Sequence, residues 1–392
     1  MPIRNRFAEM LPEIAAWRQD FHAHPELHFE CHRTAHIVAD KLRAFGCDEV
    51  VEGIAVTGLV GLIHGRKCSS RRVVGLRADM DALPIFEATG KPYASIHHGK
   101  MHACGHDGHT AMLLGAAKYL CETRNFDGTV AVIFQPAEEG GAGAKVMCDA
   151  GLMERFGIQE VYGMHNRPGH PLGEFNIRSG AFYAACDEFR ITVEGRGGHA
   201  AKPHMTVDPT LAASHLILAL QSIASRNADP TQNIVVSVTG VRSDTQAHNV
   251  IAQRVELRGT IRTHDAALRK LAETRLHAIA EASVAAFGAR AEVEFMQGYP
   301  VMVNHDAETE IARKVALDVS SQCLDAGFNM GGEDFAYMLE ERPGAYIVLG
   351  AGAGPGLHHP EYDFNDEIMP YGCSWFVGIA ENRLALAPDN PA

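Results

Sequence analysis

Met101-His-Ala-Cys-Gly-His-Asp-Gly-His109 is the stretch around which the chain is organised. It packs three histidines, a cysteine and an aspartate into nine residues, with glycines that let the backbone bend tightly between them. Cys104 and His106 are two apart, so in extended backbone their side chains share a face. Thiolate and imidazole are ligands that borderline-soft divalent metals prefer, zinc above all. Thr110-Ala-Met-Leu-Leu-Gly-Ala-Ala-Lys-Tyr-Leu120 follows with apolar residues at helical spacing. The ligands are therefore expected where a loop enters a helix. A histidine-rich surface loop explains this composition less well, but the cluster alone supplies too few ligands. The rest of the chain must provide the others.

Working outward, short β-type runs end repeatedly in polar turns. Val73-Val-Gly-Leu-Arg77 leads into Asp79 and Asp81, and Gly58-Leu-Val-Gly-Leu-Ile63 precedes it. In α/β sheets, functional groups gather at the carboxyl ends of strands. Asp79 is expected to orient a ligand histidine from behind; Asp81 is open between that role and an Asx-turn before Pro84. Gly128-Thr-Val-Ala-Val-Ile-Phe134 is a nearly continuous apolar run, as expected of a strand buried on both faces. It ends in Glu138 and Glu139 on a glycine-rich turn, poor material for a core. One carboxylate can ligate a cation while the other holds a water and moves its proton. Val161-Tyr-Gly-Met-His165 repeats the plan with a histidine at its end. Helices are predicted over about 8–21 and 34–45, the second stopped by Gly46. His22, His24 and His28 read as packing or surface residues.

From about Tyr183 the texture changes. Glu188–Glu194 alternates as a half-buried strand does, followed by the turn Gly195-Arg-Gly-Gly-His199. A helix over about 209–224, strands over 233–239 and 253–262, a helix over 266–287 and a strand over 291–295 complete a βαββαβ order. That order reads as a ferredoxin-like sandwich inserted into an α/β domain with a mixed, helix-flanked sheet. The expected division is 1–182 and 298–392 for the catalytic domain and 183–297 for the insert. The first texture then resumes with a helix near 308–319, the polar turn Asn329-Met-Gly-Gly-Glu333-Asp334, a strand over 345–349, the pair His358-His359, and a final helix carrying Phe376 and Ile379.

A length of 392 residues accommodates two domains, and 46% hydrophobic with 21% charged residues is an ordinary globular composition. A formal net charge of −13 argues against nucleic acid as a partner. Nine scattered cysteines show no disulfide framework, which together with the absence of an apolar leader suggests reduced thiols and a cytoplasmic setting. No apolar run approaches membrane-spanning length.

Taken in order, Ala-Cys-Gly-His-Asp-Gly-His, Glu-Glu-Gly, Gly-Met-His, Gly-Gly-His-Ala-Ala-Lys-Pro-His, Gly-Gly-Glu-Asp-Phe and Leu-His-His-Pro resemble one family closely. It is the metal-dependent amidohydrolase and carboxypeptidase family of hippurate hydrolases, N-acyl-amino-acid amidohydrolases and indole-acetyl-amino-acid hydrolases. The likeness runs from Trp17 to Asp366. It implies a two-metal site held by Cys104, His106, Glu139, His165 and His358, with Glu138 as general base. It also implies that His199 of the insert reaches an active site, often that of a neighbouring subunit. Asn249 and Arg262 match positions that hold the substrate's carbonyl and carboxylate, and Gly331 and Gly332 match a backbone turn at the substrate pocket. The choice of His358 over His359, and any role for His199, rest on the resemblance alone. Ala252 departs from it, standing where proline is usual after Asn-Val-Ile.

The implied reaction is hydrolysis of the amide of an N-acyl amino acid, with two divalent cations (zinc, manganese, nickel or cobalt) and a homodimer formed through the insert. A dipeptidase or aminopeptidase on the same scaffold, a non-catalytic metal-binding protein, and a Cys104 nucleophile are the competing readings. Acyl group and metal stay open.

Overall fold

A computed structural model describes residues 2–387. They form two compact units. One comprises the chain up to Gly180, Val303–Gly327 and the residues from Asp334 onward; the other is Ala181–Met302 with Phe328–Glu333.

The first unit is built on an eight-stranded mixed sheet. Its strands run in the order Glu49–Ile54, Gly58–His64, Thr129–Gln135, Val73–Asp79, Glu160–Arg167, Gly344–Gly350, Phe175–Ile177 and Cys323–Asp325. The four strands in its middle are parallel, and antiparallel pairings close it on either side. The run through Phe134 is indeed a central strand: from Val130 to Gln135 every residue is buried. Parallel register sets Asp79 beside Gln135. The polar turns that follow those strands therefore start from one edge of the sheet.

Helix His106–Thr123 is the hub of the helical layer, packing against Pro2–Ala23, His32–Phe45 and Met369–Arg383. It is apolar nearly all round, as a fully enclosed helix must be. The approach is close: a Cβ at Gly115 would lie 2.7 Å from Ile14 and 2.9 Å from the Cys373 sulfur. Helix His32–Phe45 ends at Gly46, whose φ of +89° is the left-handed cap expected from sequence. The strands Glu49–Ile54, Phe175–Ile177 and Cys323–Asp325 were not predicted. They are short or mostly exposed, so they carry little apolar periodicity.

The second unit is a four-stranded antiparallel sheet in the order Ile234–Ser243, Arg254–Thr263, Ala185–Glu194, Arg290–Met296. Phe189, Ile191 and Val193 alternate inward from its central strand. They share one core with Leu216, Leu220, Leu276 and Ile279 of helices Pro209–Leu220 and Ala266–Ala285. Both helices begin at a capping aspartate, Asp208 and Asp265, and the first has proline at its opening position. The first ends at Leu220, earlier than its periodicity suggests, and gives way to a wider turn over Ile223–Asn227. The segment 328–333 belongs with this unit because Ala184 donates its N–H to the carbonyls of Asn329 and Gly331. Long-range backbone pairing of that kind leaves no periodic trace in the sequence. Among the described residues no helix is long and apolar enough to cross a membrane.

Candidate active site

Cys104 precedes a turn made by Gly105, and His106 is the first residue of the hub helix. The segment is not extended, as the two-residue spacing alone suggests. Gly105 adopts φ +94°, and a Cβ there would lie 2.4 Å from Asn166 Oδ1 and 2.6 Å from the Tyr362 hydroxyl. Only glycine fits, and its turn brings Cys104 and His106 together although the backbone bends between them. The helix also begins one turn earlier than predicted, so His109 falls within it.

The sequence-predicted metal-type residues of the first unit converge. One ligand atom from each of Cys104, His106 and His165 lies within 4.8 Å of the others, and the same holds for Cys104, Glu139 and His358 and for His106, Glu138 and Glu139. Cys104 Sγ is 3.4 Å from His165 Nε2. His165 Nδ1 donates to the Asn166 carbonyl at 2.7 Å, which leaves the Nε2 lone pair facing the thiol. Of the two adjacent histidines, His358 reaches Glu139, with Nε2 3.2 Å from Oε1. His359 instead accepts from the Glu361 N–H within its own turn. His358 sits at φ +65° and is pinned by its N–H to the Ala103 carbonyl at 2.7 Å.

Carboxylates hold this cluster from behind. Asp79 Oδ1 lies 2.6 Å from His109 Nδ1, Oδ2 accepts from Arg77 at 2.8 Å, and His106 Nε2 is 3.8 Å away. The nearest histidine to Asp79 is thus His109, which also reaches Asn166 at 2.7 Å. Asp81 accepts the backbone N–H groups of Glu138 and Glu139 at 2.9 and 3.0 Å and stands 3.5 Å from His106 Nδ1. Sequence reasoning left Asp81 open; its role is to shape the Glu138-Glu139 turn. Arg77, wholly buried, also bonds Gln135 at 2.8 Å and Asp334 at 2.9 Å. A second buried network lies under the helix start. Asp107 accepts from His22 at 2.8 Å, and Arg18 bonds Asp366 at 2.8 Å while lying 3.8 Å from Asp107. His22 is therefore a buried charged partner. Arg18, Arg77, His109, Asn166 and Tyr362 were not singled out from sequence, because each acts through partners distant in the chain.

The electrostatics favour a cation. Burial works against charge on His106, but Asp79, Asp81 and Glu139 outweigh it and raise its pKa to about 10. Burial and the charges of Glu139 and Glu138 push the Cys104 thiol well up. Burial followed by the neighbouring His109 charge drives His165 well down, so its imidazole is neutral. Burial alone would raise Glu139, yet its bond to His358 and the His106 charge hold it below the ordinary carboxylate range. Among the described residues, both ring nitrogens of buried His106 lack a hydrogen-bond partner. Groups of this kind, with soft and hard donors mixed, fit divalent metal binding. A thiol pushed up by burial and then by carboxylates is the opposite of an activated nucleophile, which argues against a cysteine hydrolase.

His199, Asn249, Arg262, Gly331 and Gly332 all lie in the second unit. His199 and Asn249 are neighbours: Val250 pairs with His199, and Ala200 donates to the Asn249 carbonyl. Arg262, on the strand Arg254–Thr263, borders a hollow of about 530 Å³ shared with Arg190, Arg258 and Glu188. At Gly332 a Cβ would lie 2.4 Å from the Cys186 sulfur.

A mixed thiol, imidazole and carboxylate cluster at the strand ends of an α/β unit defines a metal-dependent hydrolase, and the chain belongs to the peptidase family M20/M25/M40, whose model matches residues 75–382. Within that family it is a metal-dependent amidohydrolase. It is 41% identical to a hippurate hydrolase of Campylobacter jejuni over 376 residues, covering 95% of this chain and 97% of that protein. It is 39% identical to an N-acetyl-L-cysteine deacetylase of Bacillus subtilis, covering 95% and 88%. The crystal structure of the Bacillus subtilis YXEP protein, a dinuclear metal binding peptidase of the M20 family, superposes with a TM-score of 0.85 at 34% identity, covering 96% of this chain and 99% of that one.

Two outcomes follow from this geometry. Without a cation, His106 carries a proton at neutral pH because its pKa of about 10 lies above 7, and the Cys104 thiol is neutral. If His106 and Cys104 ligate a cation, its binding displaces those protons, and affinity falls as pH is lowered from 8 to 6, by roughly tenfold or more per unit. Calorimetry in buffers of different ionisation enthalpy reads the released protons; an affinity independent of pH contradicts the assignment. Gly105→Ala costs about 2 kcal/mol or more through its positive φ and the clash with Asn166. It lowers both Tm and cation affinity in thermal scans and metal titrations.

Proposed function

We propose that the enzyme hydrolyses the amide bond of N-acyl amino acids, releasing a carboxylic acid and a free amino acid. The observation that carries this reading is Glu138. It sits within ligand distance of His106 and Glu139 and is held by its N–H on Asp81, so its carboxylate lies at the cluster of metal-type residues. The likeness to hippurate hydrolase and N-acetyl-L-cysteine deacetylase supports the substrate class.

Cys104, His106, Glu139, His165 and His358 are proposed to hold two divalent cations, which when bound would polarise the scissile carbonyl and lower the pKa of a water. Glu138 takes the proton from that water as it attacks the carbonyl carbon, then delivers it to the departing nitrogen. Asp79, through His109 and Arg77, and Asp81, through the Glu138-Glu139 turn, keep these groups in place. His199 donates to the carbonyl oxygen as negative charge develops there. Asn249 and the Gly331-Gly332 turn position the substrate, and Arg262 grips its carboxylate with a guanidinium fork. Residues 183–297, the main part of the second unit, are proposed as a ferredoxin-like domain inserted between the catalytic parts 1–182 and 298–392. That domain is proposed to join two copies of the chain, so that His199 serves the neighbouring subunit.

Glu138→Gln is expected to lower kcat at least a hundredfold, within the range of a general base, while metal content by elemental analysis stays unchanged. The panel that tests the reading is hippurate, N-acetyl amino acids, indole-acetyl amino acids and simple dipeptides, each with the cation-loaded enzyme. Turnover confined to the acylated amino acids supports it; turnover of dipeptides alone overturns it. Arg262→Lys keeps the charge but loses the fork, so KM rises about tenfold with a smaller change in kcat. Unchanged kinetics remove Arg262 from the substrate.

A further inference from the structure

Two cysteines with no part in the site lie side by side in the first unit. Cys47 follows the cap of helix His32–Phe45, and Cys121 is in the last turn of the hub helix. They are 74 residues apart in sequence, yet their sulfurs are 3.6 Å apart. Cys121 is 8% exposed, and Cys47 is half-buried against the same core.

The contact is fastened from both sides. Arg124, three residues beyond Cys121, donates to the Gly46 carbonyl, to Asp48 Oδ2 and to the His64 carbonyl, each at 2.7 Å. Asp48 also accepts the His64 N–H at 2.7 Å. The residues on either side of Cys47 are thus tied to the chain just past Cys121. Cys47 is itself held by its N–H on the Leu42 carbonyl at 3.0 Å. To form the bond the sulfurs close from 3.6 Å to about 2.05 Å.

We propose that Cys47 and Cys121 form a site of reversible oxidation, closing to an intramolecular disulfide when the enzyme meets a peroxide. The Cys121 sulfur attacks one peroxide oxygen, breaking the O–O bond to give a sulfenic acid and one water. The Cys47 sulfur then attacks the Cys121 sulfur, the S–S bond forms, the S–O bond breaks, and hydroxide leaves with the Cys47 proton as the second water. Two thiols and one hydrogen peroxide become one disulfide and two waters, and the thiols are the reductant. Electrostatics point the same way. The hydrogen bond from Cys47 leads in holding the Cys121 pKa below the usual thiol value; burial opposes it and the Arg124 charge assists.

Oxidation here is separated from the chemistry. Cys121 lies fifteen positions along the helix from His106, a rise of roughly 22 Å. Cys104, by contrast, is buried within the cluster of metal-type residues, its sulfur 3.4 Å from His165 Nε2. The disulfide is therefore a staple at the far end of the hub helix, closing a long loop without touching the site.

The test is titration of the cation-loaded enzyme with hydrogen peroxide, followed by alkylation of remaining thiols, digestion and peptide mapping. The expected result is a linked pair of peptides carrying Cys47 and Cys121 and a loss of two alkylatable thiols, reversed by dithiothreitol. Hydrolytic activity is retained and Tm rises by about 3–5 °C. In Cys47→Ser and Cys121→Ser the linked peptide and the rise in Tm both disappear while untreated activity stays as in the parent. Alkylation of both thiols after peroxide, or a linkage that joins either one to another cysteine, overturns the proposal. Mapping the parent enzyme needs no variant and no substrate, so its result stands apart from the identity of the amide hydrolysed.

Discussion

Asp79 and Asp81 are buried carboxylates at the end of a central strand, and the rest of the site depends on how their charge is answered. Negative groups taken out of water must be paired or they cost several kcal/mol each. Asp79 is answered by Arg77, His109 and His106, and Asp81 by two backbone N–H groups and His106. Charge left over by these pairs falls on His106, whose raised pKa marks the point where positive charge is wanted. A proton meets that demand in part; the divalent cations proposed for this cluster would meet it more fully.

The same constraint explains why the framework around the site is so polar beneath an apolar core. Arg77 joins Asp79, Gln135 and Asp334, so three separate chain segments are locked at one edge of the sheet. Arg18 and His22 do likewise for Asp107, at the start of the hub helix, and for the C-terminal segment that carries His358. His22 titrates with this network: burial opposes its charge, but Asp107 and Glu87 raise its pKa to about 9. Its contribution to stability is complete below its unfolded value near 6.5 and fades as pH rises through 9. Buried charges bonded this fully hold side chains within the tolerances that catalysis requires.

Much of this was legible in the chain. The run through Phe134 read as a doubly buried strand because nothing polar interrupts it, and it is one. Gly46 read as a helix stop and takes the left-handed cap. The alternation from Glu188 to Glu194 read as a half-buried strand, which matches its burial residue by residue. Cys104, His106, Glu138, Glu139 and His165 stood out because reactive residue types gather beside glycines at the ends of apolar runs, where a core has no use for them. The extended geometry assumed between Cys104 and His106 failed, since Gly105 opens a helix there.

The sequence by itself determined the alternation of strands and helices, the change of texture near Tyr183, and which residues carry chemistry, because these are local properties of period and residue type. Only the tertiary structure decided that His358 and not His359 reaches Glu139, that Asp79 bonds His109, and that Asp81 shapes the turn bearing Glu138. It also set Cys47 against Cys121. Those choices depend on distances between groups tens to hundreds of residues apart. Such distances arise only when the sheet register and helix packing close, and no local pattern encodes them.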